Sequence, residues 1–249
     1  MVNVYETKNH TYDFTYNSST TNEKSVLGTI EKDACGLNGK FSPENFRGEK
    51  IMDLFLKKDF TTVLDIGGGG LEASEQFLNN GKTVDVSDYE DGLYIVKSKV
   101  DRSLINKFVY GDFCEAVFDK QYDAIWCAHV LEHQLNPNIF LKKIFSILKE
   151  GGWMAITIPP RKPIIVGGHV SIWNAGLLLY HLVHAGFDCS DAKVIQYDYN
   201  IGIVLQKKSI KDFPKLHYDK DDLIKLNPYF PVDTLTDSFN GDILLLNWN

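Results

Sequence analysis

The sequence predicts an α/β fold: a seven-stranded, mostly parallel sheet that ends in an antiparallel hairpin, with helices on both faces. Three observations carry this. Between residues 61 and 186, short apolar runs alternate with helix-length segments, the mark of a parallel sheet covered on both sides. The alternation then stops, and "DAKVIQYDYNIGIVLQKK" (191–208) reads as two strands joined by a short turn with no helix between them. Finally, "VLDIGGGG" (63–70) places four consecutive glycines directly after a strand-like run, where a turn must let something approach the backbone closely.

Residues 1–41 are polar, rich in Thr, Asn, Ser and Tyr, and read as an irregular arm. A helix is expected from Ser42, with Pro43 at its first position, to about Lys58, its apolar face made of Ile51, Met52, Phe55 and Leu56. "TTVLDI" (61–66) is a buried strand, and "LEASEQFLNNG" a helix closed by Gly81. "KTVDVS" (82–87) is a strand and "EDGLYIVKSKV" (90–100) a helix. "KFVYGDF" (107–113) and "YDAIWCAHV" (122–130) are strands. The segment 136–152 carries the clearest helix signals, with Asn136 as cap, Pro137 at the first position and glycine after Glu150. "WMAITIPP" (153–160) is a strand ended by two prolines, and "SIWNAGLLLYHLVHAG" (171–186) a helix capped by Ser171. Three segments are expected: an arm or lid over 1–41, a ligand-binding domain over 42–208, and an extension over 209–249 that contains the apolar run "DILLLNW".

The chain has 249 residues, of which 44% are hydrophobic and 24% charged, ordinary values for a globular protein. Its 26 Lys and Arg against 33 Asp and Glu give a net charge of −7, which argues against a broad nucleic-acid or anionic-membrane surface. The four cysteines are scattered without C-x-x-C spacing, and no metal site is expected. The polar N-terminus has no signal-peptide core and no stretch is long and apolar enough to span a membrane, so a cytoplasmic location is expected.

In an open parallel sheet, ligands bind at the carboxyl ends of the strands where their order reverses, and the first strand-to-helix turn is the usual cofactor cradle. Gly68-x-Gly70-x-x-Ala73 satisfies a dinucleotide fingerprint, and Asp85 lies 85 − 65 = 20 residues beyond Asp65, the spacing of a ribose-binding acid. Other features favour S-adenosylmethionine over a nicotinamide cofactor. Asp65 sits in the turn, where a carboxylate would attract an ammonium group and repel a pyrophosphate. Asp112, in "YGDF", is placed to accept from an adenine amino group. The terminal hairpin also departs from an all-parallel dehydrogenase sheet.

In the blocks "VLDIGGGG", "VDVS", "GDF", "YDAIWCAHVLEHQLNP", "LKEGGWMAITIPP" and "HAGF", the chain resembles class I, Rossmann-like S-adenosylmethionine-dependent methyltransferases, particularly the small-molecule branch. The family's Asp-x-Gly-x-Gly-x-Gly pattern falls on Asp65, Gly67, Gly69 and Leu71, so the third glycine is missing. The resemblance implies that S-adenosyl-L-methionine is the cofactor. It implies that Asp65 with Gly67, Gly68 and Gly69 holds the methionine part and Asp85 with Val86 the ribose. Asp112 and Phe113 would hold the adenine, and Ala128 and His129 would pass near the sulfonium. Asp88 is a second acid near the ribose, equally well read as a helix-start residue.

A general base is needed only if the acceptor must lose a proton; "AHVLEH" offers His129, Glu132 and His133, of which His129 and His133 are the catalytic candidates. An "LEH" here is common in the family, so its presence does not identify a catalyst, and His133 also reads as a structural histidine. After the fifth strand, Arg161, Lys162 and His169 suit a phosphate or carboxylate on the acceptor, although the two cations also read as solvated loop charges. Tyr5, Tyr12 and Tyr16 of the arm are further acceptor-binding candidates, and also read as anchors of the arm to the core. The expected function is methyl transfer to N or O of a small polar metabolite, such as a phosphorylated amine or a nucleotide-linked sugar of surface-polysaccharide metabolism. The alternatives are an NAD-dependent oxidoreductase and a catalytically silent interaction domain. No nucleic-acid or membrane partner is expected, and homodimerisation is left open.

Overall fold

A computed structural model of the chain describes residues 2–7, 10–15, 48–235 and 238–248. It divides into two units, Met1–Phe41 and Ser42–Asn249. In the first unit, β1 (Val2–Thr7) and β2 (His10–Thr15) form an antiparallel hairpin in which Tyr5 and Tyr12 are directly paired. This corrects the irregular arm expected there. Val, Thr, Tyr and Phe recur through "VNVYET" and "HTYDFT", residue types that favour extended backbone even where the segment as a whole is polar. Tyr16, Ser42 and Pro43 lie outside the described residues.

The second unit begins with α1 (Glu49–Leu56), followed by β3 (Thr62–Ile66), α2 (Glu72–Asn79), β4 (Thr83–Asp88), β5 (Lys107–Tyr110) and β6 (Tyr122–Ala128). It continues with α3 (Pro137–Ile147), β7 (Leu148–Ile158), α4 (Ala175–His184), β8 (Lys193–Tyr197), β9 (Asn200–Gln206), α5 (Asp222–Leu226) and β10 (Leu245–Leu246). The sheet order is β10-β8-β9-β7-β6-β3-β4-β5. Strands β5, β4, β3, β6 and β7 run parallel, while β9, β8 and β10 are antiparallel to their neighbours. The expected fold is present with eight strands in place of seven. The extra strand comes from "DILLLNW", where Leu245 pairs with Ile195 on the open edge of β8.

Strand residues alternate between two apolar layers, as the pleat requires. Leu64, Ile66, Ile125 and Cys127 pack with α3 and α4, while Val63, Ala124 and Trp126 pack with α1 and α2. Leu226 and Phe230 of the C-terminal segment are buried in the first layer, so this segment completes one face of the sheet.

Three local expectations are corrected. Residues 90–100 form only a short 3₁₀ turn at Ile95–Lys97. Gly92 weakens a helix there, and Leu93, Tyr94 and Val96 are exposed, so only Ile95 would anchor one. Helix α3 ends at Ile147 and not at Glu150, because β7 begins at once: Leu148 pairs with Tyr122, and the register shifts before Trp153 meets Ala124. Helix α4 is capped by Asn174, whose Oδ1 accepts from the Leu177 N–H at 2.9 Å; Ser171 accepts instead from the Trp173 indole at 2.7 Å.

Candidate active site

The strand order reverses between β4 and β6, on either side of β3, so the carboxyl ends of these strands define a crevice. The 67–70 turn after β3 forms its floor. Gly67 has φ +71°, and a Cβ there would stand 2.2 Å from Val130 Cγ2, so only glycine lets the turn close against the loop after β6. A Cβ on Gly68 would meet Val86 Cγ1 at 2.6 Å. At Leu71, where the family pattern has its third glycine, φ is still +67°. The left-handed conformation costs a non-glycine residue roughly 1–2 kcal/mol, which full burial of the leucine side chain offsets. The turn has therefore kept the glycine's backbone without the glycine.

Acids surround this turn. Asp65 is 2% exposed, and Ser74 Oγ donates to its carboxylate at 2.6 Å. Burial pushes the Asp65 carboxyl up to about 7, with Asp88 and Glu72 adding to the rise and Ser74 opposing it. Asp88 ends β4 and accepts from the Gly69 N–H at 2.8 Å. The Gly67 and Leu71 N–H groups are likewise donated internally, to Ser87 and Gly68. Three of the turn's donors are thus already used, and the local charge is negative. This arrangement suits a cationic ligand group and opposes a pyrophosphate.

Asp85 is not at the ligand edge. It pairs with Leu64 in mid-strand, is 1% exposed, and receives Asn106 Nδ2 at 2.7 Å, Tyr122 OH at 2.8 Å and Lys120 Nζ at 2.8 Å. Burial and this carboxylate push the Tyr122 phenol well above its ordinary value. The ribose assignment of Asp85 is therefore corrected, and Asp88, three residues on, is the acid beside the glycine turn. Val86 is fully buried beneath Gly68. Phe113 lies in the core, its ring 4.9 Å from Phe140, so neither side chain is open to a ligand. Asp112 is exposed and accepts from the Cys114 N–H at 2.7 Å.

Beyond β6, the structure gathers three histidines around Glu132, the acid of "AHVLEH". His129 has φ +54°, with Nδ1 3.2 Å from Glu132 Oε1 and Nε2 2.9 Å from Asn200 Oδ1; its ring stacks on Tyr199. Both nitrogens face oxygen partners, an arrangement that fixes the orientation of the ring. His133 is different: its Nδ1 donates to Gly168 O at 2.8 Å, while Nε2 remains 4.0 Å from Glu132 Oε1. His169 stands edge-on to His133 with 4.9 Å between ring centroids, and burial lowers its pKa below the ordinary imidazole value. The signal that pointed to Glu132 was an acid between two histidines in one tight turn.

A narrow cleft beside this group is lined by Pro159, Pro160, Ile164, Ile165, Trp173 and Tyr199, with Arg161, Lys162 and His169 also on its wall. It encloses about 30 Å³, enough for one or two waters. Arg161 pairs with Asp242 at 2.8 Å, and Lys162 Nζ lies 4.4 Å from the centre of the Tyr199 ring. Among the described residues, no helix is long and apolar enough to cross a membrane.

The comparisons with known proteins bear on the fold and the family. The chain is 32% identical over 117 residues to the ubiquinone biosynthesis O-methyltransferase of Glaesserella parasuis, with 44% of this chain and 48% of that protein covered. The match thus spans about half the length of that curated relative. Among solved structures, Burkholderia thailandensis 1,6-didemethyltoxoflavin-N1-methyltransferase, bound to 1,6-didemethyltoxoflavin and S-adenosylhomocysteine, superposes with a TM-score of 0.56 at 15% identity, covering 82% of this chain and 98% of its own. A methyltransferase from Archaeoglobus fulgidus gives 0.55 at 18% identity, over 75% of this chain and 100% of its own. Human N-acetylserotonin methyltransferase gives 0.53 at 18% identity, over 66% and 52%. These likenesses establish a shared fold. The family model described as a methyltransferase domain matches residues 40–240, from before α1 to beyond α5, and the chain belongs to that methyltransferase domain family.

Proposed function

We propose that the chain binds S-adenosylmethionine at the glycine turn and methylates an oxygen or nitrogen of a small acceptor whose flat apolar face lies over the mouth of the cleft after β7. The observation that carries the cofactor reading is the set of acids, Asp65, Asp88 and Glu72, around a turn whose N–H groups are mostly engaged. A dinucleotide pyrophosphate is poorly served there. An ammonium and a sulfonium are well served. The turn also leaves open space above Gly69, where the nearest atoms to a Cβ would stand 3.8 and 3.9 Å away.

Bound there, S-adenosylmethionine supplies a methyl group on a positively charged sulfur, so the protein's task is chiefly positioning and exclusion of water. Asp65 would hold the ammonium end and Asp88 the ribose hydroxyls, with Asp112 at the adenine. Val130, packed against Gly67, closes the turn on the side of β6. His129, fixed between Glu132 and Asn200, would orient the acceptor side of the crevice. The aromatic and aliphatic residues at the cleft mouth, Trp173 and Tyr199 among them, favour an acceptor with a planar apolar face. The G. parasuis relative, named as an O-methyltransferase, supports oxygen as the acceptor atom.

A phosphorylated or otherwise anionic acceptor rests on Arg161 and Lys162. The ion pair of Arg161 with Asp242 weakens that reading, because an anion would have to displace the carboxylate. A mass-spectrometric screen of hydroxylated aromatics alongside phosphorylated amines and nucleotide sugars separates the two. Methylated product only from the anionic set would overturn the apolar-acceptor reading.

A further inference from the structure

We propose that Glu132, His133 and His169 form a binding site for one divalent cation of the zinc–manganese class on the rim of the acceptor cleft. One donor atom from each of the three lies within 4.8 Å of the others. Metal–nitrogen and metal–oxygen bonds of about 2.0–2.2 Å place neighbouring tetrahedral ligands roughly 3.3–3.5 Å apart. The triad is thus within about 1.5 Å of closing on an ion. His169 is carried on the 161–170 segment directly after Gly167 and Gly168, with Gly168 at φ +83°, so a small shift of that segment would suffice.

Two independent features point to a ligand at this spot. Glu132 is 1% exposed; its Oε1 lies 3.2 Å from His129 Nδ1 and 4.0 Å from His133 Nε2, and its Oε2 has no hydrogen-bond partner among the described residues. A buried carboxylate with one bare oxygen calls for a cation. His133 is also set in the tautomer that a ligand needs. Its Nδ1 donates to the Gly168 carbonyl, which leaves the Nε2 lone pair for an ion, the outer-shell arrangement usual for metal-bound histidine. Two imidazoles and one carboxylate form a borderline donor set, matched to zinc, manganese or iron(II) more than to calcium or magnesium.

Three protein ligands leave at least one position open. His169 also lines the cleft, so the open position would be available to an oxygen of the acceptor. A divalent cation there would lower the pKa of a bound hydroxyl without a side-chain base. This use of the site rests on the methyl-transfer reading above. The metal site itself does not.

The test is calorimetric titration of the chelator-treated full chain with zinc chloride and with manganese chloride. A parallel titration with S-adenosylhomocysteine in the absence of metal reports the cofactor reading separately. The expected result is one cation per chain. Removal of an outer-shell partner alone typically weakens metal affinity about 10–100-fold. His133→Ala, His169→Ala and Glu132→Gln should therefore each weaken it by at least about tenfold, while exposed His217→Ala leaves it unchanged. Circular dichroism confirms that each variant is folded. Absence of a one-to-one isotherm, or equal affinity in wild type, His133→Ala and His169→Ala, would overturn the site whatever S-adenosylhomocysteine does.

Discussion

Asp65 should make cofactor binding depend on pH in a defined direction. Its carboxyl is held near 7 by burial, against an ordinary value of 3.8. A folded pKa above the unfolded one means that the favourable contribution is fully present below pH 3.8 and lost as pH rises through about 7. The interval corresponds to about 4 kcal/mol of cost for holding Asp65 ionised in the ligand-free protein at most. An ammonium group beside the carboxylate reverses the preference, so binding of S-adenosylhomocysteine should expel a proton wherever Asp65 starts protonated. Affinity should then fall about tenfold for each pH unit below 7, reaching about a hundredfold loss at pH 5, and level off above pH 8. Calorimetry between pH 5 and 8, in buffers of different ionisation enthalpy, reads both the affinity and the protons released. Asp65→Asn should abolish the slope and raise the stability of the ligand-free protein above pH 7. A flat affinity profile in wild type, or an unchanged slope in Asp65→Asn, would refute the assignment of Asp65 to the ammonium.

Asp85→Ala should destabilise the fold by about 3 kcal/mol in urea titration, since it strands Tyr122 and Asn106 while Lys120 remains reachable by water. Affinity of the folded variant for S-adenosylhomocysteine should stay within about twofold, and a large loss would return Asp85 to the site. Gly67→Ala should cost about 2–4 kcal/mol by denaturation, combining left-handed strain with the clash against Val130, and should weaken cofactor binding as the turn reopens. Arg161→Ala breaks an exposed ion pair, so its effect on stability should stay below about 1 kcal/mol. Its kcat/KM for an apolar aromatic acceptor should stay within about threefold, whereas a loss of tenfold or more would place Arg161 on the acceptor.

Much of the sheet was legible because buried parallel strands leave near-continuous apolar runs, as in Ala124 to Cys127 or, interrupted only by Asp65, Val63 to Ile66. The 90–100 segment departs from a helix: its apolar residues resemble a helical face, yet only Ile95 is fully buried and Leu93, Tyr94 and Val96 are exposed. The two ribose candidates show the limit of spacing arguments. Asp85 stands at the expected count from Asp65, but it pairs with Leu64, and the carboxyl end of β4 is reached only at Asp88. Register decides such a case, and register belongs to the assembled sheet. Glu132 was hidden for another reason. An acid in a common tripeptide says nothing until folding buries it and sets His169, 37 residues away in the chain (169 − 132), at its side.

The central claim is that the crevice at the switch point is built for S-adenosylmethionine. Its most direct test is calorimetric titration of S-adenosylhomocysteine and NAD, side by side, into wild type and Asp88→Asn, a variant that keeps an oxygen acceptor for the Gly69 N–H. The account predicts one molecule of S-adenosylhomocysteine bound per chain, no measurable binding of NAD, and a loss of about 10–150-fold in Asp88→Asn, from about 1.5–3 kcal/mol of charge-assisted hydrogen bonding to the ribose. Tighter binding of NAD than of S-adenosylhomocysteine, or equal S-adenosylhomocysteine affinity in the two proteins, would contradict it.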